Sequence, residues 1–131
     1  MEIIYNLFEY VRVKTGISAT IDGYDAVGDQ TGLLLVGTGG EDTPVSKVAW
    51  DRFQFVYRDS SKYQTRKKAQ EIFDKVTNRF CVTLPEITVG GDLYSEVVVG
   101  SLLAMQKPTY MGTTGSGNGL HTVVFNIRIT V

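Results

Sequence analysis

The chain has 131 residues, 14 of them glycine, with one Cys, one His and a formal net charge of -1 from 13 basic and 14 acidic side chains. This length fits a single domain spanning 1–131, large enough to bury a core without a disulfide or metal staple. Cys81 cannot close an internal disulfide alone, one Cys and one His cannot build a structural zinc site, and the balanced charge argues against broad electrostatic capture of nucleic acid.

No basic-then-apolar leader opens the sequence, and no apolar run reaches the ~18 residues of a membrane helix. The expectation is a chain made and folded in the cytosol, without a membrane partner.

The first predicted element is a helix. Ile3, Ile4, Leu7, Phe8 and Val11 form a stripe at helical spacing, and Gly16 is its terminator. Ile17, Ala19 and Ile21 alternate with polar residues as a weak strand, and Asp22-Gly23 is a turn candidate. The apolar run of residues 33–36, bounded by Gly32 and Gly37, predicts a buried strand.

Residues 37–48 read as a loop, because Gly37, Thr38, Gly39, Gly40, Glu41, Asp42 and Thr43 offer almost nothing to bury. Long segments of this kind tend to be functional or to order on binding. Residues 50–58 predict a strand, with Phe53, Phe55 and Tyr57 on one face and Arg52, Gln54 and Arg58 on the other. Asp59, Ser60 and Ser61 then supply N-cap chemistry for a helix over 62–80, whose stripe is Ala69, Ile72, Phe73, Val76 and Phe80.

Residues 87–89 predict a short edge strand and Gly90-Gly91 a turn, while 94–105 read as a strand bent at Gly100. A second glycine-rich stretch covers 112–119: Gly112, Thr113, Thr114, Gly115, Ser116, Gly117, Asn118 and Gly119. The cleanest strand closes the chain, with Val123, Phe125, Ile127, Ile129 and Val131 alternating with polar residues. The order of elements predicts an α+β fold: a single antiparallel, at most mixed, β-sheet packed by two helices on one face, with long glycine-rich loops.

No catalytic constellation emerges. His121 starts the inward face of the last strand, with no Ser or Cys motif around it. Cys81 falls at the predicted helix C-terminus, where the dipole disfavours a thiolate. Neither glycine stretch runs into the helix that a phosphate loop requires, and Gly-Lys-Ser/Thr is absent. Asp22, Asp25, Asp29, Glu41 and Asp42 do not follow calcium-loop spacing. Arg66, Lys67 and Lys68 diverge by ~100° per residue around a helix and read as a solvated face. No metal, cofactor or specific nucleic-acid ligand is expected. A small core with two adaptable segments is the profile of an assembly protein.

The C-terminal half carries a resemblance. Lys107-Pro108-Thr109-Tyr110-Met111-Gly112, a polar glycine stretch, then Val123-Val124-Phe125-Asn126-Ile127-Arg128-Ile129 resembles the closing segment of phage tail terminator proteins, also called minor capsid or tail completion proteins. The opening helix, the strand 51–58 and the helix 69–80 fit the same pattern, although the opening helix is shorter than is common there. The resemblance implies a non-catalytic α+β subunit of the virion, assembled in the bacterial cytoplasm. It implies a homo-oligomeric ring, typically of six copies, that ends the tail tube and faces the head connector or stopper proteins. A head-completion, stopper or neck protein of the same particle is the nearest alternative. A small-molecule-binding or enzymatic α+β domain using His121 and the glycine loops is the more distant one.

On this view the two glycine stretches, 37–43 and 112–118, are candidate subunit or tail-tube contacts. Arg52, Arg58 and Arg66 are candidate inter-subunit charges.

Overall fold

The computed structural model describes residues 3–21, 31–43, 48–113 and 119–130. Helix α1 (Ile4–Thr15) is followed by β1 (Thr20–Ile21), β2 (Gly32–Thr43) and β3 (Val48–Asp59). Helix α2 (Lys62–Val76) precedes β4 (Arg79–Leu84), β5 (Ile87–Val89), β6 (Asp92–Tyr94), β7 (Val97–Thr113) and β8 (His121–Thr130). Strands β1-β2-β3-β8-β7-β4 form one sheet in that order, and β5 pairs with β6 in a second. Among the described strands only the β1–β2 pair is parallel.

The expected α+β fold with one sheet and long loops is therefore corrected. The chain is mostly strand, its main sheet is mixed and curled, and a second small sheet is present. The largest difference lies in 37–48. Residues 37–43 continue β2, and 48 already belongs to β3. Their partner explains this: from Gly32↔Arg58 to Thr43↔Val48 the two strands pair, with one register shift between Gly37 and Gly39. Glycine weakens a strand that must hold itself by side-chain packing, but a bound neighbour supplies the ladder. Gly112 and Thr113 likewise belong to β7, while Thr114, Gly115, Ser116, Gly117 and Asn118 lie outside the described residues. So does the Asp22-Gly23 turn.

Helix α1 matches its expectation, and Gly16 ends it in the left-handed region (φ 75°), its N–H bonded to Arg12 O at 2.8 Å. Ser61 caps α2 by accepting from Gln64 N at 3.3 Å. The helix stops four residues before Phe80, however. Thr77 leaves helical geometry and its hydroxyl donates to Phe73 O at 2.6 Å, and Asn78 turns the chain at φ 59°. Short polar side chains that satisfy the last carbonyls compete with helix continuation.

Strand β7 does not end at Gly100 or at Pro108. Proline lacks the N–H a ladder needs, and the β7–β8 register skips from Gln106 to Thr109 around it.

One core holds these elements together. Leu7 and Val11 from α1, Ala69, Ile72 and Val76 from α2, and Leu35, Phe55, Phe125, Ile127 and Leu102 from the main sheet are buried in a single cluster. Each large aliphatic or aromatic side chain so buried is worth about 1.5–3 kcal/mol. Phe125 lies at its centre, stacked on Phe55 at 4.7 Å and edge-on to Phe73 at 5.3 Å.

Candidate functional site

The lone histidine sits where its parity placed it, at the start of β8 beside Val123. Its Nδ1 is 2.7 Å from the Tyr110 hydroxyl, with Asp59 directly across on β3. Lys62 Nζ lies 4.6 Å and the Arg66 guanidinium 5.3 Å from the Tyr110 ring centre. A small cavity of about 210 Å³ adjoins them, lined by Arg66, Gln70, Pro108, Tyr110 and Val123. Tyr110 and His121 can share a proton, and the two cations can attract an anionic group. Cys81 lies on β4, paired to the other end of β7, and is exposed. Its expected place at a helix C-terminus is thereby corrected. No cluster of three His, Cys, Asp or Glu suited to a metal occurs among the described residues.

The three candidate arginines do not converge. Arg52 and Arg58 share the sheet face away from the helices, as the alternation of β3 requires, while Arg66 is on α2. Arg58 Nε donates to Thr122 Oγ1 at 3.3 Å, and burial pushes its pKa down. Arg52 stands directly opposite Arg128 on β8, and both lie on the ring of Trp50, at 5.2 and 4.8 Å from its centre. No local pattern marks Arg128 as a partner, because the contact exists only through the β3–β8 pairing.

The two glycine-rich stretches are also apart. Trp50 pairs with Thr130 at one end of the β3–β8 ladder, next to the outer half of β2. Asp59 pairs with His121 at the opposite end, where Thr113 of β7 arrives. The outer part of β2, residues 39–43, and the described part of the second stretch, Gly112 and Thr113, thus lie toward opposite ends of the sheet.

Among the described strands the sheet has two open margins. On one, β1 covers β2 only at Leu34 and Leu35, so no described strand lies outside β2 over 38–43. The other is β4, the last strand in the order. Beside β4 runs a groove of about 700 Å³ lined by Tyr10, Val13 and Lys14 of α1, Lys75 of α2, and Arg79, Phe80, Val82, Thr83 and Pro85. Two of its apolar side chains face water: Val13 is 58% and Phe80 69% exposed. Phe80 extends the apolar stripe of α2 in sequence, so its place on an open edge was not legible without knowing where the helix stops.

No protein-family model matches this sequence, and none of the curated proteins matches it.

Proposed function

We propose that this chain is a structural subunit of a long-tailed phage or prophage particle, assembling as a ring on the end of the tail tube. There it stops tube growth and offers a joining surface to the head connector. The role is non-catalytic and needs no cofactor. The observation that supports it best is the pair of unlike open margins at the two ends of one curled sheet. A closed ring needs head-to-tail contacts between two different surfaces of the same subunit, and two distinct edges supply them. An open edge left uncovered in a monomer would invite uncontrolled pairing, which assembly prevents. A stopper or neck ring of the same particle would use the same margins and differ only in the rings it docks on.

The test is electron microscopy and native mass spectrometry of the full chain over a range of concentration, alone and with tail tubes. Closed rings, or rings seated on tube ends, are expected. A chain that stays monomeric throughout and leaves tube ends bare would overturn the reading.

A further inference from the structure

Phe53, Phe55 and Tyr57 of β3 enter the core, so Trp50, Arg52, Gln54 and Arg58 belong to the opposite face of the sheet. On β8 the same alternation sends Val123, Phe125, Ile127 and Ile129 inward and Thr122, Asn126 and Arg128 outward. Every charged residue that β3 and β8 place on this outer face is an arginine.

The register sorts the face into rows. Arg52 stands opposite Arg128. Beyond them on either side are Gly39 of β2 and Leu103 of β7, so this row carries two positive charges and no acid. The acid nearest in register, Glu41, is paired with Trp50. Two residues along the strands, about 7 Å away, Gln54 stands opposite Asn126 and Asn126 opposite Gln106. A charged row therefore borders a row of amides. A groove of about 340 Å³ joins them, lined by Thr38, Arg52, Met105, Gln106 and Asn126, with no carboxylate in its lining. That volume is at the small end of the range for small-molecule sites.

Two observations point to an anion. Arg52 and Arg128 are held together against their own repulsion by one indole, which both guanidiniums share. Among the described residues the one ion pair is Arg12 with Glu9, so neither guanidinium is matched by a carboxylate there. Two planar forks suit a group with two charges and three oxygens. A phosphate monoester, with a charge of about -1.5 to -2 at neutral pH, is such a group, whereas a carboxylate fills one fork. The amide row supplies the rest of a site. Asn126 Nδ2 donates to Gln106 Oε1 at 2.7 Å, and Gln106 Nε2 donates to Thr109 Oγ1 at 3.0 Å, which fixes both amides. The Asn126 Oδ1 acceptor and its second N–H are left for the acceptor and donor of a base edge. Met105, 51% exposed, offers a soft apolar contact for a ring.

We propose that this groove binds a phosphorylated ligand of nucleotide size, its phosphate on the Arg52–Arg128 pair and its base edge on Asn126. The site lies on one subunit and does not depend on the ring reading.

The test uses the full chain at constant ionic strength, with calorimetry and the emission of Trp50, the single tryptophan. The probes are AMP, inorganic phosphate, acetate and a short single-stranded oligonucleotide. AMP should give saturable binding and change the Trp50 emission, inorganic phosphate should compete more weakly, and acetate should do neither. R52Q/R128Q, checked for native circular dichroism, should bind AMP at least about tenfold more weakly. If that variant does not fold, Arg52→Lys replaces it, keeping the charge but losing the fork, and should still weaken AMP. Asn126→Ala should weaken AMP and leave inorganic phosphate unchanged, a split that a general loss of structure would not produce. An oligonucleotide that displaces AMP and binds more tightly would keep the phosphate site and assign its source to a nucleic-acid backbone. No saturable binding, an equal response to acetate, or undiminished affinity in folded R52Q/R128Q would overturn the proposal. Inorganic phosphate binding as tightly as AMP would reduce the site to an adventitious ion only and overturn it too. Neither result bears on whether the chain forms rings.

Discussion

Asn6 of α1 donates its side-chain amide to the carbonyl of Pro85 at 2.9 Å, on the strand connection that follows β4. The same amide reaches Ser95 O at 3.0 Å and Tyr94 O at 3.3 Å. Two N–H groups thus serve three acceptors on both flanks of the β5–β6 hairpin. Asn6 is buried on a helix face that is otherwise apolar, and its role is to tie the small sheet to α1. Asn6→Ala should cost about 1–3 kcal/mol, since it removes a buried amide that serves three backbone carbonyls. Urea unfolding measures the loss, and hydrogen exchange should rise first in 85–95. A wild-type midpoint with unchanged exchange would show that water replaces the amide at no cost.

Tyr57 gives the protein an alkaline limit. Burial, and then the neighbouring Asp59 carboxylate that its hydroxyl approaches at 3.4 Å, push the phenol pKa up. The folded state therefore holds this proton more tightly than the unfolded state does. The stabilisation is complete below the unfolded phenol pKa of about 10 and is lost as pH rises through the raised folded value. Tyr10, raised by burial, adds to the same limb. Tyr57→Phe should flatten the fall in unfolding midpoint between about pH 9 and 11.5 without removing it. An identical slope in the variant would assign the alkaline loss elsewhere.

Cys81 occupies a position that suits glycine. Its φ is 51°, it lies on an edge strand, and the register places Gly100 opposite, between the Phe80↔Ser101 and Val82↔Val99 pairs. A residue with a Cβ in this region costs about 1–2 kcal/mol, and glycine gives back part of that gain through the entropy of the unfolded chain. Cys81→Gly should therefore be neutral or raise stability by up to about 1 kcal/mol, and Cys81→Val should lower it by about 1–3 kcal/mol. Thermal unfolding of both variants provides the check. A valine variant as stable as wild type would mean that the backbone relaxes to negative φ.

The parts of the fold legible in the sequence are those whose signal lies in their own side chains. The stripe of α1, the Ser61 cap and the alternation of β8 are of this kind. Strand β2 was not legible beyond Gly37, because the pairing that makes 38–43 a strand comes from β3. The end of α2 was missed because Phe80 continues a helical stripe in sequence while Thr77 and Asn78 end the helix through backbone bonds. The candidate arginines were partly legible: parity sets Arg52 and Arg58 on one face, but only the β3–β8 register brings Arg128 to Arg52. The basic groove needs the ends of α1 and α2 beside β4, and no local pattern in the chain joins Lys14, Lys75 and Arg79.

Arg52 and Arg128 form a direct cross-strand pair of like charge, held against one indole. Like charges opposite each other on a sheet repel, while each guanidinium gains from the Trp50 face by about 0.5–1 kcal/mol. A single replacement, Arg52→Ala or Arg128→Ala, removes one stack and also relieves the repulsion, so each single loss is small. The double variant removes both stacks but relieves the repulsion once. Its loss should therefore exceed the sum of the single losses, by a few tenths of a kcal/mol. Trp50 is the only tryptophan, so its emission reports the stack directly. Arg128, the closer cation and with a buried Nε lacking a hydrogen-bond partner among the described residues, should shift that emission more than Arg52. A cycle in which the double loss falls short of the sum would mean that the two stacks reinforce each other and that the indole fully screens the repulsion.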